Sequence, residues 1–120
     1  MNIGKTGLEG EKRVANYLRK KGFTVIKQNY TCKYGEIDII AENSEYILFV
    51  EVKTRKEDSL ISGVAAVDGF KQSRILKTAE DFLSKTECEL QPRFDVAEVT
   101  VFEKQDSSLG YKLHYITNAF

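Results

Sequence analysis

Glu36-Ile37-Asp38-Ile39-Ile40-Ala41-Glu42 and, after a short polar break at Asn43 and Ser44, Tyr46-Ile47-Leu48-Phe49-Val50-Glu51-Val52-Lys53 form the most informative stretch of this chain. Both runs are rich in β-branched and aromatic residues, and the break between them suits a hairpin. The second run is apolar on both faces for most of its length, as a central strand requires. Strand periodicity puts Glu36, Asp38 and Ile40 on one face, with Ile37, Ile39 and Ala41 on the other. On the next strand Ile47, Phe49, Glu51 and Lys53 share a face. A four-residue turn sets Asp38 directly opposite Glu51, and a two-residue turn sets them diagonally. Either places two carboxylates within reach of one bridging ion.

Working outward, Thr6 to Lys21 reads as a helix with Leu8, Ala15 and Leu18 on one stripe and Gly22 as its stop. Phe23 to Asn29 reads as a strand. Residues 54–66 read as a long polar loop containing Gly63. A second helix is expected from about Val67 to Ser84, burying Ile75, Leu76, Ala79, Phe82 and Leu83. Pro92 marks the change from helix to strand, and Arg93 to Glu103 and Lys112 to Ile116 are the last two strands. The order is α-β-β-β-α-β-β, an α/β sandwich with a central mixed five-stranded sheet flanked by helices.

A chain of 120 residues has room for one core, so residues 1–120 are expected to form a single domain. Its 42% hydrophobic and 30% charged residues are ordinary for a globular protein and argue against wholesale disorder. Cys32 and Cys88 form no CxxC pair and His114 is the only histidine, which excludes a zinc module and a disulfide framework; two reduced thiols are expected. The first residues carry no apolar signal-peptide core and no apolar run approaches spanning length, so a soluble cytoplasmic protein without membrane contact is expected. Net charge is +0, yet residues 1–35 carry eight basic residues against two acids, and residues 78–110 carry eight acids against three bases. One basic face able to meet a polyanion is compatible with that asymmetry.

Chemistry is expected where polar residues occupy core-facing positions. Two carboxylates as close as Asp38 and Glu51 repel unless a cation lies between them or one is protonated. Hard oxygen ligands of this kind suit Mg²⁺ or Mn²⁺. Lys53, two residues beyond Glu51, faces the same way, placed to position a water or offset charge on a phosphate. The Val52 side chain points into the core and leaves its carbonyl as a further metal ligand. Glu11 lies on the apolar stripe between Leu8 and Ala15, where an acid is costly without a partner, although a carboxylate early in a helix also suits the helix dipole. Lys71 lines up with Ile75, Ala79 and Phe82, as a phosphate contact or a snorkelling lysine. Glu36 shares Asp38's face, either supporting the site or standing as a strand-end surface acid.

Asp38 followed by Glu51-Val52-Lys53 resembles the PD-(D/E)xK nuclease pattern, with Glu11 in the place of the helical glutamate of Holliday-junction-resolvase-like members. Ile37 stands where that pattern carries a proline. The whole chain resembles the YraN family of bacterial proteins. The resemblance rests on Thr6-Gly7 with Glu11 and Ala15, Gly35-Glu36-Ile37-Asp38-Ile39-Ile40, Phe49-Val50-Glu51-Val52-Lys53-Thr54-Arg55, Lys71, Arg93-Phe94-Asp95-Val96 and Asn118-Ala119-Phe120. It implies a restriction-endonuclease-like fold and a metal-dependent nuclease acting on DNA. In that reading Asp38, Glu51, the Val52 carbonyl and Glu11 hold Mg²⁺ or Mn²⁺, and Lys53 orients the nucleophile. Arg55 would reach the substrate backbone from the loop, and Tyr30 and Tyr34 flank the approach to Asp38, where an aromatic ring can stack on a base. No base-reading element accompanies the site, so structure-selective cleavage fits better than sequence-specific cleavage. A non-catalytic nucleic-acid-binding or adaptor module with the same fold is the alternative, and a structural metal protein a third. A homodimer or a protein partner is compatible with every one of these. Asp95 is expected to be structural, paired with Arg93 or a helix end, and His114 reads as a plain strand residue.

Overall fold

Asn43 closes the hairpin that organises the sheet. Its side-chain Oδ1 accepts the backbone N–H groups of Glu45 (2.8 Å) and Tyr46 (2.7 Å), and its own N–H donates to the Tyr46 carbonyl at 3.0 Å. A short side chain that hydrogen-bonds its own turn in this way fixes the loop length. The resulting register pairs Glu42 with Ile47 and Ile39 with Val50, so the four-residue alternative is the one realised.

The computed structural model describes residues 3–57 and 68–120, with the side chains of the first helix described from Gly7 onward. In chain order the elements are α1 (Ile3–Lys20), β1 (Thr24–Cys32), β2 (Gly35–Glu42), β3 (Tyr46–Lys56), α2 (Gly69–Ser84), β4 (Gln91–Glu103) and β5 (Leu109–Ile116). The five strands form one sheet in the order β1-β2-β3-β4-β5. Only β3 and β4 run parallel, joined by the crossover that carries α2; every other pair is antiparallel. The mixed α/β architecture and element order expected from the sequence are therefore present. β3 continues through Lys56, so Thr54 and Arg55 are strand residues rather than the start of a loop, and β4 already includes Pro92 near its first residue. Glu57 is a turn residue, and positions 58–66 of the expected loop, Gly63 included, and the expected first helical residue Val67 lie outside the described residues.

α1 and α2 cover opposite faces. On the α1 side Val14, Ala15 and Leu18 pack on Ile39, Ala41, Leu48, Val50, Ala97 and Val99. On the α2 side Ile75 and Ala79 pack on Ile37, Ile40, Ile47, Phe49 and Val96. Both helix stripes differ from expectation in one member. Leu8 is 69% exposed, and the buried row of α1 instead begins at Gly10. A side chain at Gly10 would collide with Thr54 Oγ1, so the absent side chain is what lets α1 lie close on β3. On α2, Leu76 is exposed and Thr78 is buried, its hydroxyl donating to the Arg74 carbonyl at 2.8 Å.

α1 ends as its sequence predicts. Gly22 has φ +92°, its N–H donates to the Arg19 carbonyl and the Phe23 N–H to that of Leu18, the pairing of a Schellman cap. α2 begins at Asp68, whose carboxylate accepts the Lys71 N–H at 3.0 Å.

The ends of β4 and β5 are locked together by Asp95, which is fully buried. Arg93 donates to it from Nε (3.1 Å) and Nη2 (2.9 Å), the Tyr115 hydroxyl at 2.6 Å and the Asn118 N–H at 3.0 Å. Burial, and then Asp95 itself, push the Tyr115 hydroxyl pKa far up, so it acts only as a donor. The Ala119 N–H then donates to the Phe94 carbonyl, and the Phe120 ring stacks on Phe94, which stacks on Phe49. Asp95 is thus structural, as expected, and the terminal Asn-Ala-Phe is part of the same lock. Cys32 and Cys88 are both free. Among the described residues no helix is long and apolar enough to cross a membrane.

Candidate metal and phosphate site

The hydrogen-bonded ladder between β2 and β3 stops at Ile39 and Val50, one step short of pairing Asp38 with Glu51. At the same level on β1, between the Gln28–Ile39 and Tyr30–Ile37 pairs, Asn29 has φ +53°. The side-chain alternation of β2 slips here. Ile37 joins the α2-side core with Ile40, while Ile39 and Ala41 join the α1-side core. The strict alternation expected along Glu36–Ala41 therefore breaks at Asp38, opposite the left-handed Asn29 and just beyond the end of the β2–β3 ladder.

That break frees a donor. The Val52 N–H, which a continuing β2 carbonyl would have taken, donates to Asp38 Oδ2 at 2.8 Å. A strand residue's N–H and carbonyl project to the same side, so the Val52 carbonyl also faces this gap. The Val52 side chain packs toward the α1-side core, as expected. Glu51 and Lys53, on the α2 side, pair at 3.2 Å between Oε1 and Nζ.

The three acids form a row through the gap, each in hydrogen-bonding contact with the next: Glu11 from α1, Asp38 from β2, Glu51 from β3. Asn29 hydrogen-bonds Glu11 at one end and Lys53 pairs with Glu51 at the other. Burial raises the Glu11 carboxyl above its ordinary range, and the charge of Asp38 raises it further, against the Asn29 hydrogen bond. Burial also raises Asp38, opposed by the Val52 N–H and by Lys53. Glu51 is pushed up from 4.5 to about 7, first by burial and then by Asp38, with Lys53 opposing. Lys53 is the one cation set against these three carboxyls, and it sits at the Glu51 end.

The donor chemistry fits a small hard cation: carboxylate oxygens from adjacent elements, a backbone carbonyl and a shortage of local positive charge. Among the described residues no three His, Cys, Asp or Glu side chains are already disposed to hold an ion by themselves. Asp38 touches both Glu11 and Glu51, so the fit is to two neighbouring acids with the Val52 carbonyl, Glu11 completing or tuning the set.

A cavity of about 200 Å³ opens on the α2 side over Ile75, lined by Gly35, Glu36, Glu51, Lys53, Lys71 and Arg74. Lys71 and Glu36 thus reach the same hollow as Glu51 and Lys53. Arg74, absent from the sequence reading, joins them; its Nε donates to the Tyr34 carbonyl at 2.9 Å, fixing α2 to the β1–β2 turn. Arg55 lies on the face of Glu51 and Lys53, further along β3 and outside this lining. The Tyr34 side chain borders a separate hollow with Lys77, Glu80, Asp81 and Ser84, so its ring is not brought beside the acids. Tyr30 is turned away as well, its hydroxyl bonded to Asp81 on α2. Asn29 and Arg74 left no periodic signal, since an exposed strand Asn and a helix-surface Arg are each unremarkable alone.

Residues 10–99 match the model of the family described as Uncharacterised protein family UPF0102. A UPF0102 protein of Clostridium acetobutylicum is 43% identical over 117 residues, covering 97% of this chain and 93% of its own. One from Caldanaerobacter subterraneus subsp. tengcongensis is 40% identical across 100% of this chain and 98% of its own, and one from Nitrosomonas europaea 31% across 99% and 96%. The chain belongs to the UPF0102 (YraN) family.

Proposed function

We propose that this protein is a metal-dependent nuclease that hydrolyses phosphodiester bonds in DNA. The observation that carries the reading is the row Glu11–Asp38–Glu51, gathered where the β2–β3 ladder ends, with Lys53 beside it and a cavity in front to which Lys71 and Arg74 add two more cations. Glu51, Asp38, the Val52 carbonyl and Glu11 are the groups that would hold Mg²⁺ or Mn²⁺, which when bound lowers the pKa of a water and offsets charge on the phosphate.

The chain's own groups divide the remaining work. Lys71 and Arg74 draw the phosphate into the cavity. Lys53 is held by Glu51 at 3.2 Å, where its ammonium orients the attacking water and meets charge developing on the phosphoryl oxygens. The Val52 N–H holds Asp38 Oδ2 and so fixes the carboxylate's orientation. Among the described residues no groove-reading helix accompanies the cavity, which supports selection of a DNA structure rather than a base sequence.

Incubation of the parent, Asp38→Asn and Glu51→Ala with branched, nicked and single-stranded DNA in Mg²⁺ or Mn²⁺ tests the proposal. Asparagine keeps an acceptor for the Val52 N–H, so the fold survives. Loss of cleavage by at least 10²-fold in both variants is expected. Equal cleavage by Asp38→Asn and parent would exclude this site as the centre of hydrolysis.

A further inference from the structure

Among the described residues, two carboxyl groups outside the acid row are almost fully buried. Asp95 is accounted for by the terminal lock. Glu98, 5% exposed in β4, is not part of that lock or of the acid row. Its Oε2 lies 3.1 Å from Nδ1 of His114 on β5, and the histidine side chain is 73% exposed. The register places Lys53, Glu98 and His114 side by side across β3, β4 and β5. The stack of Phe49 on Phe94, four residues before Lys53 and Glu98, puts this row on the same face as Glu51. Adjacent strands are ~4.8 Å apart, so His114 stands roughly 10 Å from Lys53.

Burying a carboxylate is costly, and an exposed imidazole adds little to the core. A carboxylate on one ring nitrogen fixes the ring's orientation and turns the other nitrogen outward. Here Nδ1 is held by Glu98, and Nε2 is presented to solvent on the face that carries the cavity. The next register step on that face aligns Arg55, Thr100 and Lys112, the last pairing with Glu57 at 3.6 Å where both are exposed. Lys53, Arg55, Lys112 and His114 thus form a basic strip leading from the acid row to the β5 edge, with Glu98 sunk between them.

We infer that His114, held by Glu98, is a phosphate contact for a nucleic-acid strand that leaves the cavity at Lys53 and crosses β4 to the edge of the sheet. Glu98 is a positioning residue in this arrangement. The inference rests on the nucleic-acid reading proposed above and extends it to the binding path.

The test is fluorescence anisotropy with a labelled branched DNA at pH 6 over a range of salt concentrations, on the parent, His114→Ala and His114→Lys. His114→Ala is expected to weaken binding about fivefold and to flatten the salt dependence by about one phosphate contact, ~0.9 in the log–log slope. His114→Lys should restore both, which a role in shape alone does not predict. Parental affinity and slope in His114→Ala would overturn the inference and leave the nuclease reading standing. A parent that shows no salt-dependent DNA binding would overturn both.

Discussion

Replacing Glu51 by glutamine should make the metal-free protein more stable, by an amount that grows as pH rises from 4.5 and levels off above about 7. The folded protein holds the Glu51 proton up to about pH 7, whereas the ordinary value is 4.5. Between those values the folded state binds more protons than the unfolded chain, so stability falls as pH rises through the window and is level above it. At ~1.36 kcal/mol per unit the penalty at pH 8 is roughly 3 kcal/mol, and sharing of protons along the acid row brings the expected gain for Glu51→Gln to about 1–3 kcal/mol. Glutamine keeps the shape and an oxygen acceptor for Lys53, so no cavity opens. Urea denaturation with a chelator at pH 5 and pH 8 reads the effect. Near-equal midpoints are expected at pH 5, with the variant's midpoint higher at pH 8 and an unchanged denaturant slope. Saturating Mg²⁺ should reverse the order at pH 8, because only the parent gains from binding. A variant less stable than the parent at pH 8 without metal would refute the argument that the acid row is starved of positive charge.

Two further predictions concern the scaffold. Asp95→Ala should cost about 3–5 kcal/mol in urea denaturation, since it leaves the Arg93 guanidinium, the Tyr115 hydroxyl and the Asn118 N–H without their shared acceptor. Gly10→Ala should cost about 1–3 kcal/mol through the collision with Thr54 Oγ1, and most of that should return in a Gly10→Ala, Thr54→Ala double variant, because the next nearest atom outside Thr54, Val99 Cβ, lies at an ordinary 3.6 Å. A double-mutant cycle with no coupling would show that α1 does not rest on Thr54.

What the sequence made legible was what short-range periodicity encodes. The hydrophobic runs of β2 and β3 located the centre of the sheet, and Asp38, Glu51 and Lys53 were visible as polar residues in strands with a core to fill. What it concealed depended on contacts between distant residues. Gly10 has no side chain to enter a periodic count, and its value appears only when Thr54 is found against it. His114 looked ordinary because its partner Glu98 is 16 residues away and meets it only through the β4–β5 register. The break in the β2 alternation at Asp38 was hidden because the features at its level, the left-handed Asn29 and the end of the β3 ladder, belong to neighbouring strands.

That last failure explains why the acids gather where they do. A regular ladder satisfies every backbone donor with a backbone carbonyl and leaves nothing for a carboxylate between strands. By ending the β2–β3 ladder at Ile39 and Val50, the fold releases the Val52 N–H to Asp38 and brings the Val52 carbonyl to the same gap. β2 keeps its pairing with β1 past the left-handed Asn29 while its ladder with β3 ends, and Asn29 itself reaches Glu11. Gly10 lets α1 lie close enough on β3 for Glu11, one residue on, to reach Asp38. Each feature that breaks a rule of regular structure within this layer therefore adds a donor or an acceptor to one small volume. The three carboxyls remain short of positive charge there, and a divalent cation beside a phosphate is the ligand that supplies it.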